Sequence, residues 1–341
     1  MPYHLKSGLK VFILIFIFGV TIGVFLWGSS PSPPLFSKPA LTLLTYSSYG
    51  GVYGPARKLK TEFEKNCQCE VRLLLAEDST RLVQRLQLKI PVDLVIGLDQ
   101  ISLTVAKQFS WKKHPISPET FISEVRVFQS PFFLPVDWSP IGWIYKGPSL
   151  KRIKNFSDML SLQETISFPE PDTSTLGLQL YYWLYEEAGG DLITLKKLIK
   201  SIKKAAYGPM TSWSLAYGLF RRGRVGMSLS YLTSLAYHQL EEKDFSYRFV
   251  YFDRGHPWQV EFAAVPATCR QCSLSLRFMK FLMTPIAQKI IRDNHFMLPV
   301  ISEMQSEGFS RLKIPKKISY ESLPEFLKKK EELFKIWKQQ N

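Results

Sequence analysis

Three ring-bearing residues, Trp213, Tyr231 and Tyr237, stand within 25 residues of one another. Trp213 opens the run Trp213-Ser-Leu-Ala-Tyr-Gly-Leu-Phe220, Tyr231 ends the apolar run Ser228-Leu-Ser-Tyr231, and Tyr237 lies on the segment that follows. An indole and two phenols so spaced suit a flat, cationic guest, because each ring face attracts a cation by about 0.5–2 kcal/mol. Against this, the chain holds 24 Phe, 15 Tyr and 8 Trp. Taken alone, the three rings are more simply read as core aromatics. Asp78 offers a carboxylate that caps a helix or meets a positive charge. Thr173, Ser174 and Thr175 precede an apolar segment, where the free N–H groups of a helix start could hold a phosphate or hydroxyl oxygen. The simpler expectation there is that one of the three caps the helix.

The elements that must carry these groups alternate. Leu41 to Tyr46 is an apolar strand, a helix is expected from Tyr53 to Lys65 after Gly50-Gly51, and Glu70 to Leu75 is the next strand. A helix follows Asp78 to about Leu88, and Val92 to Gly97 is a strand of the kind buried in a parallel sheet. After Pro135-Val-Asp-Trp138, the strand Ile141 to Tyr145 takes the chain into a second lobe. There, Thr165 to Phe168 is a strand, and the loop Pro169 to Thr175 feeds a helix ended by Gly189-Gly190. Strands at Tyr247 to Phe252 and Gln259 to Val265 return toward the first lobe, so two crossings form a hinge. Helices at Arg277 to Met283 and Pro285 to Asp293 follow, then a basic helical segment after Pro324. Each of the three rings therefore sits where a βα unit opens toward a ligand.

The chain has 341 residues and 45% hydrophobic content, too much for one small core. Its net charge of +15 raises nucleic acid as a partner. The basic residues are spread along helix faces, as at Lys196, Lys197, Lys200, Lys203 and Lys204, and no nucleic-acid-binding signature is present, so that partner is excluded from the reading. His4, Lys6 and Lys10 precede an uncharged run from Val11 to Trp27, which fits an export signal over residues 1–30 or a retained membrane anchor. Ser29 to Pro34 makes a stiff spacer within a linker at 31–39. The basic flank leaves the body of the protein outside the cytoplasm. Cys67 and Cys69, and Cys269 and Cys272, then permit disulfides within or between the pairs.

Leu41-Thr-Leu-Leu-Thr-Tyr-Ser-Ser-Tyr49, Glu77-Asp78, Asp172-Thr-Ser-Thr-Leu-Gly-Leu178, Ser212-Trp-Ser-Leu-Ala-Tyr-Gly-Leu-Phe220, Ser230-Tyr-Leu-Thr-Ser-Leu-Ala-Tyr-His238 and Gly255-His-Pro-Trp-Gln-Val-Glu261 together resemble one family, the periplasmic thiamine-binding proteins of bacterial ABC transporters. The similarity runs in order from about residue 40 to 303. It implies an α/β, two-lobed periplasmic-binding-protein fold of type II, with the ligand cleft between lobes. Lobe 1 would comprise 40–137 and 259–303, lobe 2 138–258, and a C-terminal helical segment 304–341. It implies a periplasmic monomer that performs no catalysis, needs no cofactor, and delivers thiamine, thiamine monophosphate or thiamine diphosphate to an ABC permease in the inner membrane. The rings would be held by Tyr46, Trp213, Tyr231 and Tyr237, with Ser174 and Thr175 at the phosphate end and Asp78 nearby. Ser47, Ser48 and Tyr53 complete the expected ligand-binding set. Ser47 stands where the family pattern has an acid, and Tyr53 where it has an indole.

Two other readings share the fold. Ferric iron or an anion could be captured, with Tyr181 and Tyr182 as the tempting metal ligands, although their place inside a helix with Trp183 and Tyr185 favours burial. A thiamine-cleaving enzyme would need a cysteine nucleophile. His238 and His256 are expected to be hydrogen-bonded structural histidines, and Met297 and Trp258 packing residues.

Overall fold

The computed structural model describes residues 38–340 apart from 129, 151–152 and 303–306. The expected export signal and most of the linker lie outside the described residues. The first strands are β1 (Ala40–Tyr46), β2 (Glu70–Ala76) and β3 (Leu94–Asp99), with helices α1 (Ala56–Cys67) and α2 (Ser79–Gln87) between them. β1 pairs in parallel with β2 and β3, which is the geometry a strand–helix–strand repeat imposes. The short β4 (Trp111–Lys112) precedes β5 (Leu134–Lys146), and β6 (Ile166–Ser167) leads into α3 (Thr175–Glu187) and α4 (Leu192–Ala205). Next come α5 (Trp213–Arg221), β7 (Met227–Tyr231), α6 (Ser234–Leu240), β8 (Tyr247–Phe249) and β9 (Trp258–Pro266). The chain closes with α7 (Cys272–Leu282), α8 (Pro285–His295), α9 (Leu323–Lys328) and α10 (Lys330–Gln339).

One sheet runs β2-β1-β3-β9-β5-β7-β6, with β4 on β9 and β8 on β5. Its two longest strands make the crossing. β5 pairs antiparallel with β9 from Leu134↔Ala263 to Pro140↔Trp258, then with β7 from Ile141↔Tyr231 to Tyr145↔Met227. The expected short strand at Ile141 to Tyr145 is therefore the second half of a 13-residue strand. Pro135 and Pro140 obscured it, because proline cannot donate to a ladder. The register slips beside Pro135, which accommodates the missing donor.

Two buried cores flank the crossing. Leu41, Leu44, Leu94, Val136, Phe262 and Phe278 belong to one, with α1, α2, α7 and α8 around it. Trp143, Phe156, Trp183, Leu195, Leu229 and Phe326 belong to the other. α9 and α10 pack on this second core through Phe326, Ile336 and Trp337. The segment from Pro39 onward forms one compact unit. Among the described residues, no helix is long and apolar enough to cross a membrane.

Several local expectations shift. The helix expected from Tyr53 begins at Ala56, because Pro55 disfavours helical backbone in the residue before it. Asp78 caps α2, accepting the Thr80 N–H at 3.0 Å. Ser174 occupies the N-cap position of α3, yet its side chain makes no capping bond. The disulfides join Cys67 to Cys69 and Cys269 to Cys272, within each pair.

His256 ties the crossing to the second core. Its Nε2 accepts the Phe252 N–H and its Nδ1 bonds the Ile141 carbonyl, each at 2.8 Å, so the neutral ring is satisfied on both sides. Gly255 lets the chain turn into it with φ +105°, where a Cβ would also strike the Lys316 carbonyl. Burial lowers the His256 pKa to about 4. Because the folded state holds the imidazole neutral, the unfolded chain binds the proton more readily between pH 6.5 and 4. The His256 contribution, about 3 kcal/mol, is complete above pH ~6.5 and lost as pH falls toward 4. Buried Asp99, pushed up to about 6, titrates with the opposite sign in that window, so global melting mixes the two. Nitrogen NMR of the imidazole should show His256 neutral, with its proton on Nδ1, down to about pH 4. Titration near 6.5 would contradict this account.

Candidate functional site

The cavity at the crossing holds about 770 Å³, and all ten expected ligand residues line it: Tyr46, Ser47, Ser48, Tyr53, Asp78, Ser174, Thr175, Trp213, Tyr231 and Tyr237. They arrive from separate elements. Tyr46 ends β1, Trp213 begins α5, Tyr231 ends β7, and Tyr237 lies on α6. A strand end or helix start leaves its side chain at the rim of the sheet, which is why these positions converge. Tyr53 is 91% exposed and Ser47 and Ser48 are exposed, so this corner forms the mouth rather than the wall. Ser47 donates its hydroxyl to the Glu77 carbonyl at 2.6 Å.

Each wall ring is held from behind. Trp213 Nε1 donates to Ser230 Oγ at 2.9 Å, and Tyr217 stacks on the indole with centroids 5.1 Å apart and planes 19° apart. The Tyr217 hydroxyl meets His238 Nε2 at 2.7 Å, and His238 Nδ1 meets Glu242 at 2.6 Å. His238 is thus a buried structural histidine, and Glu242 is its partner. Tyr231 donates to Gln259 Oε1 at 3.2 Å, and Tyr237 packs edge-on against Phe296 at 5.0 Å. Gly97, with φ +104°, leaves room for the Tyr46 ring, which a Cβ there would strike.

Beneath the rings lies a row of acids. Glu261 on β9 is directly opposite Asp99 on β3 and Asp137 on β5. Asp137 is fully buried and Glu261 is 1% exposed. Tyr46 donates to Glu261 Oε1 at 2.6 Å and also meets His295 Nε2 at 3.0 Å. Burial, and then the Glu261 charge, push the Asp137 carboxyl well above the usual range. Burial, the largest single influence, would lower the His295 pKa, but the nearby acids Glu261 and Asp137 together outweigh it and raise it. Both Asp137 oxygens, Asp99 Oδ2 and Glu261 Oε2 lack hydrogen-bond partners among the described residues. Two buried acids directly opposite one another resist ionising together, so a cation beside them would favour their charged forms.

A second part of the cavity has another character. The starts of α2, α3 and α5 meet there through Ser79, Thr175 and Ser212. Thr175 Oγ1 donates to Asp78 Oδ1 at 3.2 Å and also bonds Ser79 Oγ. A residue of the second core thereby grips two residues of the first. Ser174, free of capping duty, faces the same end.

The sequence reading missed Glu261, His295, Phe296 and Tyr217 as lining residues, and took Met297 for packing although it reaches the cavity edge. Glu261 lay inside a quoted motif, but nothing local says that β9 turns this carboxylate inward. Tyr181 and Tyr182 are fully buried, and their hydroxyls donate to the Leu333 and Ser319 carbonyls, away from the cavity. The iron reading loses those two ligands. Both cysteine pairs are disulfides that do not line the cavity, so the cleavage reading loses its nucleophile.

The family model described as bacterial extracellular solute-binding protein matches residues 44–297. The thiamine-binding periplasmic protein of Escherichia coli strain K12 is 33% identical over 290 residues, covering 83% of this chain and 87% of that protein. Its namesake from Brucella melitensis biotype 1 is 30% identical over 299 residues, covering 84% and 87%. A solved periplasmic thiamin-binding protein superposes with a TM-score of 0.80 at 29% identity, over 91% of this chain and 99% of that one. The ferric-binding protein from Campylobacter jejuni superposes at 0.71 with 16% identity, over 88% and 99%, a likeness of fold alone. With its two-lobed type II α/β fold and a cleft at the crossing strands, this chain belongs to the bacterial extracellular solute-binding proteins.

Proposed function

We propose that this protein captures thiamine or a thiamine phosphate in the periplasm and delivers it, without chemical change, to an ABC permease of the inner membrane. The observation that carries the reading is a single cavity with aromatic walls from both cores above a buried acidic floor. Thiamine presents a permanent thiazolium cation and a flat aminopyrimidine. Ring faces attract the cation by about 0.5–2 kcal/mol each, more when water is excluded, and also bury its apolar area. Glu261, the member of this row that lines the cavity, keeps one carboxylate oxygen without a partner, which can accept an N–H donor of the guest. A phosphorylated arm would lie at the other end, where Ser174 and the start of the 13-residue α3 offer hydroxyl and N–H donors. One cleft then serves a ligand of both charge signs. The names of the relatives, thiamine-binding periplasmic proteins, agree with this ligand and compartment.

Capture depends on both halves closing over the guest, and the Thr175 bonds to Asp78 and Ser79 favour closure. Titration with thiamine, its monophosphate and its diphosphate, followed by tryptophan fluorescence, should give saturable binding of one ligand per chain. Trp213→Ala should weaken binding about tenfold or more while the melt stays cooperative, since the ring is only half-buried. Unchanged affinity in a folded variant would remove the indole from the site, and absence of binding to all three ligands would remove thiamine as the cargo. Thr175→Val keeps the bulk and deletes the hydroxyl. It should weaken each ligand about fivefold, the equivalent of roughly 1 kcal/mol, and expand the unliganded protein in small-angle scattering. Equal affinity and equal dimensions would show that this contact does not govern closure.

A further inference from the structure

The acidic floor contains more unsatisfied acceptors than a single organic cation needs, and their arrangement is specific. Gln259 Nε2 donates to Glu261 Oε1 at 3.0 Å, and Tyr46 donates to the same oxygen at 2.6 Å. Oε1 is therefore doubly held, which leaves Oε2 as the free corner of the carboxylate. That oxygen stands 3.7 Å from His295 Nε2. Asp137, fully buried with both oxygens unpartnered, completes a triangle in which one ligand atom from each residue lies within 4.8 Å of the others.

We propose that Asp137, Glu261 and His295 form a binding site for a divalent transition-metal ion, of which Zn²⁺ and Mn²⁺ are the test cases. Two carboxylates and one imidazole are the mixed oxygen and nitrogen set that such ions take. An ion at the middle of the triangle needs each atom to close in by less than an ångström to reach the ~2.0–2.2 Å of zinc ligation. Its two positive charges would match the charge of two carboxylates held directly opposite each other on paired strands. Tyr46 and Gln259 act on the outer side, fixing the orientation of Glu261 as supporting groups around metal ligands do. Glu261 and His295 also line the cavity, so the ion has an entry path and its open positions face the cleft. The three ligands come from β5, β9 and α8, which all pack on the first core, so the site exists without cleft closure and without cargo.

The test uses the full chain, free of any tag, stripped with chelator and titrated calorimetrically with Zn²⁺ and with Mn²⁺ in the absence of thiamine. One ion should bind per chain, and Asp137→Asn and His295→Gln should each weaken binding about tenfold or more without loss of the cooperative melt. Should either variant fail to fold, Co²⁺ in the wild-type protein provides the second measurement. It should give visible bands of oxygen and nitrogen ligation without sulfur charge transfer, as the four cysteines are in disulfides. Failure of the wild type to bind either ion, binding that both folded variants retain, or a cobalt spectrum of free aqueous ion would each overturn the proposal. Thiamine capture is measured separately in excess chelator, so the two ideas fail independently.

Discussion

The antiparallel ladder between β5 and β9 carries both halves of the molecule. Each strand is buried along almost its whole length, and together they lead the chain out of one core and back from the other. A strand buried on both faces is expected to be apolar throughout. Here the ladder places Asp137 opposite Glu261 at its centre, with Asp99 on the neighbouring strand. Such a row costs stability. A protein that only had to fold would do better with Val or Leu at these places.

From that constraint the rest of the site follows in layers. The rings above the floor line the cavity, and a second layer orients them: Ser230 and Tyr217 for Trp213, His238 and Glu242 for Tyr217, Gln259 for Tyr231. A ring held in one plane loses less freedom when it binds than a ring that must be ordered on contact. Where the starts of α2 and α3 meet, hydroxyl and backbone N–H groups join the Asp78 carboxylate at the cavity wall.

The βα alternation of the first half could be read from apolar runs and caps, and Asp78 is the N-cap that its spacing suggests. The aromatic trio was also legible, since Trp213 at a helix start and Tyr231 at a strand end are positional facts. Less could be said of β5, where two prolines hid a 13-residue strand, or of Ser174, whose cap position holds a side chain that does not cap. His256 was expected to be a hydrogen-bonded structural histidine, but its partners were not legible. Only the fold shows that the Ile141 carbonyl and the Phe252 N–H, more than 100 residues apart, both bond it.

By itself the sequence determined element types, the order of the two crossings, and a set of aromatic and polar residues that line one cavity, because those depend on period, caps and side-chain chemistry within short windows. It could not determine which cysteines pair, that Thr175 spans the cleft to Asp78, or that Asp137, Glu261 and His295 share one buried corner. The last two span about 100 to 160 positions of the chain, and their distances are set by strand register and helix packing rather than by any local preference. The charge that defines the floor of the cleft is thus a product of tertiary structure, assembled where a ladder of hydrogen bonds aligns acids that lie far apart along the chain.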